Sequence, residues 1–137
     1  MGFLGGRVGE RAMPINTVRV ANFEEINEIM RRLLQPFHIP STERAFIKPN
    51  VVSASTSDTG IVTDYRVVSA LIDYLREKGI RDITVGEGSA MGVDTMKAFE
   101  TAGFTKLAKE KKVKLIDLNQ TERIKAAWKY GEIALPH

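Results

Sequence analysis

The chain of 137 residues contains no cysteine. Disulfides, thiolate catalysis and thiolate-bound clusters are therefore excluded within it, and an intracellular, cytoplasmic setting is expected. It has only two histidines. His38 lies between Pro36 and Pro40, where a surface or packing role is expected, and His137 is the last residue. That poverty argues against a structural zinc site. No apolar run approaches the ~18 residues of a membrane span. No Gly-Lys-Ser/Thr occurs, so there is no Walker loop. A formal net charge of +3 is too small to imply nucleic acid by itself.

What is present is ordinary for a soluble globular domain: 43% hydrophobic and 27% charged residues. The length suits one domain with a real core. Residues 1–14 are glycine-rich and read as a flexible leader, leaving 15–137 as a single α/β domain. The leader has no apolar core for a signal peptide, and Gly6 stands where a myristoylation motif needs Ser or Thr.

Periodicity assigns most of the remainder. Thr17–Val20 alternates as a short strand. Asn22 and Glu25 have capping-box spacing ahead of a helical stripe, Ile26, Ile29, Met30, Leu33 and Leu34, which Pro36 ends. Arg44–Ile47 reads as a strand stopped by Pro49. A helix is expected over Asp64–Lys78, capped by Thr63 or Asp64 and closed at Gly79. Asp82–Gly86 is a strand, Asp94–Ala102 a capped helix, Thr105–Lys111 a further helical turn and Val113–Leu118 a strand. From Thr121 the pattern is unclear, and Ile133–His137 reads as the beginning of an element, either an edge strand or a domain cut short. Alternating strands and helices predict a Rossmann-like three-layer sandwich: a mainly parallel sheet of four or five strands with helices on both faces.

The functional signal lies in the connections. About fifteen residues rich in Ser, Thr, Asp and Gly follow Ile47, longer than the usual ~4–6. In open parallel sheets ligands bind beyond the carboxyl ends of the strands. Three separate loops deliver polar groups there: Lys48, Asn50, Asp58 and Thr59; then Gly86, Glu87, Gly88 and Ser89; then Asp117 and Asn119. Lys48 can meet a phosphate or carboxylate as a point charge, or pair structurally with Glu87 or Asp117. Asn50 can bind ligand or form an Asx-turn. Asp58-Thr59-Gly60 can offer a metal ligand or only a turn. Gly86-Glu87-Gly88-Ser89 begins like a dinucleotide fingerprint, but Met91 occupies the third glycine's place and the loop follows a later strand. What survives is a backbone able to approach an anion. Asp58, Glu87 or Asp117 could hold a divalent metal such as Mg²⁺, which needs only a few oxygens plus water. Lys106, Lys109, Lys111, Lys112 and Lys114 form a basic cluster, either a solvated face or a dock for an acidic partner.

Lys48-Pro49-Asn50, the Thr63–Gly79 helix, Val85-Gly86-Glu87-Gly88-Ser89, Phe99 with Gly103-Phe104, and Leu115–Asn119 occur in an order that resembles a widespread family of domains of unknown function sometimes found in iron–sulfur proteins. The resemblance covers about Ala45 to Asn119. It implies the N-terminal half of the family domain, incomplete at its C-terminus. Some members append a ferredoxin-like cluster domain, which this chain lacks. The expected function is binding of a small anionic ligand, phosphate or carboxylate with or without a divalent metal, as part of an enzyme. The alternative is a non-catalytic module docking to a redox or iron–sulfur partner protein through the lysine face and the Trp128 tail. A third is a fragment whose open sheet edge drives homo-oligomerisation.

Overall fold

The computed structural model describes residues 25–39 and 44–136. The expected strand Thr17–Val20 and the cap residue Asn22 lie outside the described residues. The first described helix, α1 (Ile26–Leu34), starts after Glu25, whose side chain makes no capping bond. Then follow β1 (Arg44–Ile47), a 3₁₀ turn at Ser57–Thr59, and α2 (Tyr65–Glu77). After them come β2 (Asp82–Glu87), α3 (Thr95–Thr101), α4 (Phe104–Lys111), β3 (Lys114–Asp117), β4 (Arg123–Trp128) and β5 (Gly131–Pro136).

Helix α2 shows how local chemistry sets the elements. The Asp64 carboxylate accepts the Arg66 amide at 2.8 Å, satisfying one of the donors that a helix start leaves open. Its far end closes with the Ile80 amide on the Leu75 carbonyl and the Gly79 amide on the Arg76 carbonyl, the paired bonds of a Schellman ending. Between these ends the helix carries two apolar stripes. Val68, Ile72 and Leu75 enter the main core, while Ala70 and Tyr74 pack on Met30 of α1. Arg31 and Glu77 tie the same two helices at their ends, Nη2 to Oε1 at 2.5 Å. Lys111 of α4 reaches Asp73 of α2 at 2.6 Å.

The sheet has three parallel strands in the order β1-β2-β3. Both crossovers step to the next strand in the same direction. Right-handed connections therefore place both on one face. Burial agrees: Ile47, Ile83 and Val85 join Val51, Phe99, Phe104 and Leu107 in the core. Phe99 and Phe104 are fully buried with ring centroids 5.6 Å apart. On the other face Phe46 is 52% exposed, and it closes with Ile116 over Gly86.

The described residues form a mixed α/β fold: three of the expected strands make a three-stranded parallel sheet with both crossovers on one face, and the fourth, Thr17–Val20, lies outside the described residues. The tail does not extend that sheet. β4 and β5 pair antiparallel with each other as a separate hairpin, Trp128 opposite Gly131. Its residues are almost all exposed, and Ile124, Ala126 and Trp128 share one face with Ile133 and Leu135, a period-two alternation that the sequence carries.

Candidate functional site

Glu87 is the last residue of β2 and is buried at the carboxyl end of the sheet. A buried carboxylate needs partners, and this one has three. Oε1 accepts from Lys48 Nζ at 2.6 Å and from the Gly88 amide at 2.8 Å. Oε2 accepts from the Val51 amide at 3.3 Å. Pro49 ends the β1 ladder directly after Lys48 and sits buried, so the chain turns there and sends Val51 under the rim. The Glu87 carbonyl accepts the Leu118 amide at 2.9 Å, joining the connection after β3.

Further bonds lock the loops together. Ser89 is buried and donates its hydroxyl to the Val51 carbonyl at 2.6 Å. Its amide donates to Thr95 Oγ1 at 3.2 Å, at the start of α3. Asn119 donates through Nδ2 to the Ser89 carbonyl at 3.0 Å. The Asn119 amide in turn rests on Asp117 Oδ1 at 2.8 Å. Glycine at position 88 makes this approach feasible, because a Cβ there would stand 2.7 Å from Asn119 Oδ1.

Lys48, Glu87, Gly88, Ser89 and Asn119 are thus brought to one rim by three separate connections. The other expected residues are placed differently. Asn50 faces its own loop: its amide donates to Thr63 Oγ1 and its Nδ2 to the Ile61 carbonyl. Thr59 donates to the Thr56 carbonyl and accepts the Ile61 amide, a turn-forming role. Gly86 lies inside β2 opposite Ile116, turned to the open face. Asp58 lines a different cleft of about 300 Å³ with Tyr65, Arg66 and Thr101. Asp58, Glu87 and Asp117 therefore do not converge. Among the described residues no group of three or more acidic or histidine side chains is placed to hold a metal ion. The long polar loop folds back along α3, where Ser57 donates to the Ala102 carbonyl, and that path carries Asp58 away from the strand ends.

Two rim-forming residues were not singled out from the sequence. Val51 supplies both a donor and an acceptor through its backbone, which no side-chain pattern can announce. Thr95 is almost wholly buried and takes the Ser89 amide; its only advance signal is its place next to the capping Asp94, whose carboxylate accepts the Lys97 amide.

A larger cleft, about 690 Å³, lies elsewhere, at the C-terminal ends of α1 and α2. Helix carbonyls point into such a region and disfavour anions. Two of its basic residues already have partners: Arg31 binds Glu77, and Lys78 sits 5.3 Å over the Tyr74 ring. The hydrogen-bonded rim, not this cleft, is the built arrangement.

A family model described as Domain of unknown function (DUF362) matches residues 46–135, more than half of the chain. The chain belongs to the DUF362 family. The matched span of this DUF362 domain begins within β1 and runs into β5, so every rim residue falls inside it. No curated protein and no solved structure matches the chain. Among the described residues no helix is long and apolar enough to cross a membrane.

Chemically, the rim offers one exposed cation anchored on a buried carboxylate. An ammonium has three N–H donors, and Glu87 occupies one of the three on Lys48. Asn119 is exposed at the same rim, bonded to the Ser89 carbonyl.

Proposed function

We propose that the rim binds a small anionic ligand, a phosphate or carboxylate, as part of an enzyme's ligand-binding domain. The observation that carries this reading is the Lys48–Glu87 pair. The buried carboxylate holds the ammonium at the strand ends, and the lysine side chain is 58% exposed, which leaves the ammonium donors for a ligand. Pre-positioning of this kind lowers the entropy lost when a ligand is bound. The Gly88 and Ser89 amides are already bonded to Glu87 and Thr95 Oγ1 and shape the rim rather than meet the ligand, while Asn119 adds an exposed amide. A divalent metal, if one takes part, would be shared between the ligand and Asp117, since Glu87 already has its partners. The finer architecture belongs to the same proposal. Parallel strands are as a rule covered on both faces, so the face bearing Phe46 and Ile116 fits a Rossmann-like sandwich with a further layer. A cytoplasmic setting suits a chain without cysteine.

The test is thermal stabilisation of the full chain by inorganic phosphate, small carboxylates and nucleotides, with and without Mg²⁺. Lys48→Ala should abolish the shift and Lys48→Arg should retain part of it. Identical shifts in all three proteins would end the reading.

A second reading, a non-catalytic module docking to a redox partner protein, draws on the β4–β5 hairpin. Ile124, Trp128, Ile133 and Leu135 are all exposed there. A hairpin alone is marginal in water, so a contact would stabilise it. Failure of every anion to stabilise the chain, together with a Trp128 emission change on adding a reduced or oxidised iron–sulfur protein, would favour this second reading.

A further inference from the structure

The connection from β2 to α3 closes a tight turn at Ala90–Val93. The Val93 amide meets the Ala90 carbonyl at 2.9 Å, and Gly92 sits at φ +81°. A positive φ at the third position is what a type II turn demands, and glycine meets it without strain. The residue placed second in that turn is Met91, which is wholly exposed. The turn is tethered. The Ala90 amide donates to the Val52 carbonyl at 3.1 Å, next to the bond from the Ser89 hydroxyl to the Val51 carbonyl. Val52 is itself 38% exposed, and Met96, at the start of α3, is exposed as well.

Single exposed apolar residues need no explanation. Here the apolar side chains stand on the two segments that also fix the ion pair. Val51, beside Val52, donates to Glu87, and Gly88, three residues before Met91, donates to the same carboxylate. Hydrogen bonds hold both segments in place, so Met91 and Val52 remain in water instead of folding inward. A thioether side chain adapts to varied apolar shapes, which suits it to contact a ligand.

We infer that the rim takes an anion carrying an apolar body, an alkyl or acyl phosphate or a medium-chain carboxylate. Its head meets Lys48, and its body lies along Val52 and Met91. This rests on the reading of the rim as an anion site and narrows the ligand class. Each methylene removed from water is worth roughly a factor of four in affinity.

The experiment is calorimetric titration of the full chain with inorganic phosphate, hexyl phosphate and hexanol, repeated on Met91→Ser and Lys48→Ala. Hexyl phosphate should bind at least about tenfold more tightly than inorganic phosphate. Met91→Ser should remove most of that preference, and Lys48→Ala should weaken both phosphates. Because Met91 is fully exposed, its replacement leaves the fold intact, which circular dichroism checks. Equal affinity for the two phosphates overturns the inference while the anion reading stands. Hexanol binding as tightly as hexyl phosphate overturns it too, because the head would then add nothing. A preference that survives Met91→Ser and Val52→Ser together also overturns it. Concentration-dependent association of the chain that is lost in Met91→Ser would assign the patch to a second copy, with the same consequence. If neither phosphate binds, the anion reading fails and this inference falls with it.

Discussion

Lys48 and Glu87 form an ion pair with one partner in water and the other in the protein: side-chain exposure is 58% and 4%, with Nζ and Oε1 2.6 Å apart. The asymmetry decides what the pair does. Exposed pairs contribute little to stability, whereas a buried carboxylate that loses a partner is expensive.

Lys48→Ala should therefore destabilise the chain by about 1–3 kcal/mol, since Glu87 would keep only its two backbone donors. Adding Glu87→Gln should recover part of the loss by removing the stranded charge. Urea denaturation of the wild type, both singles and the double measures the coupling. Strict additivity would mean that the pair is not energetically joined.

The close approach of Gly88 to Asn119 makes a second prediction. Gly88→Ala places a methyl 2.7 Å from Asn119 Oδ1, so the Asn119 bond to the Ser89 carbonyl must give way. The expected loss is about 1–2 kcal/mol. In an Asn119→Ala background the obstruction is gone and Gly88→Ala should be nearly neutral. An equal effect in both backgrounds would show that the methyl meets something else.

Core packing gives a reference for scale. Phe99 and Phe104 are fully buried and touch across the α3–α4 junction. Phe99→Ala should cost about 3–5 kcal/mol by chemical denaturation. A loss below about 1 kcal/mol would mean that α3 is not part of the cooperative core.

Acid should reveal the cap of α2. Hydrogen bonding from the Arg66 side chain, reinforced by its amide and opposed by burial, holds the Asp64 carboxyl below the ordinary carboxylate range. A folded-state value lower than the unfolded one stabilises the fold above about pH 4. That contribution disappears as pH falls through the lowered value. Asn is also a good cap, so Asp64→Asn removes the charge and keeps the cap. The variant should be slightly less stable at pH 7 and converge on the wild type in strong acid. A stability gap independent of pH would refute the ion-pair contribution.

The legible parts of the chain were those governed by neighbours. Pro49 marked the end of β1, Asp64 the start of α2 and Gly79 its close, because caps and breakers act within a turn of themselves. The hairpin was legible only in part: Ile124, Ala126 and Trp128, like Ile133 and Leu135, alternate along their strands, but nothing local decides that the two strands pair with each other rather than with the parallel sheet. The division among the polar loop residues was not legible. Lys48 and Asp58 belong to the same connection, yet one joins Glu87 and the other lies beside Thr101.

The sequence by itself determined the order of strands and helices from β1 to β3, the caps of α2 and α3, and the delivery of polar groups from three connections to one end of a parallel sheet. Those follow from side-chain periodicity and backbone preference, which are short-range. Only the tertiary structure decided that Glu87 is buried, that Lys48 is the cation it holds, and that Asn119 closes over Gly88 while Asp58 is carried elsewhere. Burial and pairing depend on how distant segments fill shared space, and that is a property of the packed chain rather than of any stretch within it.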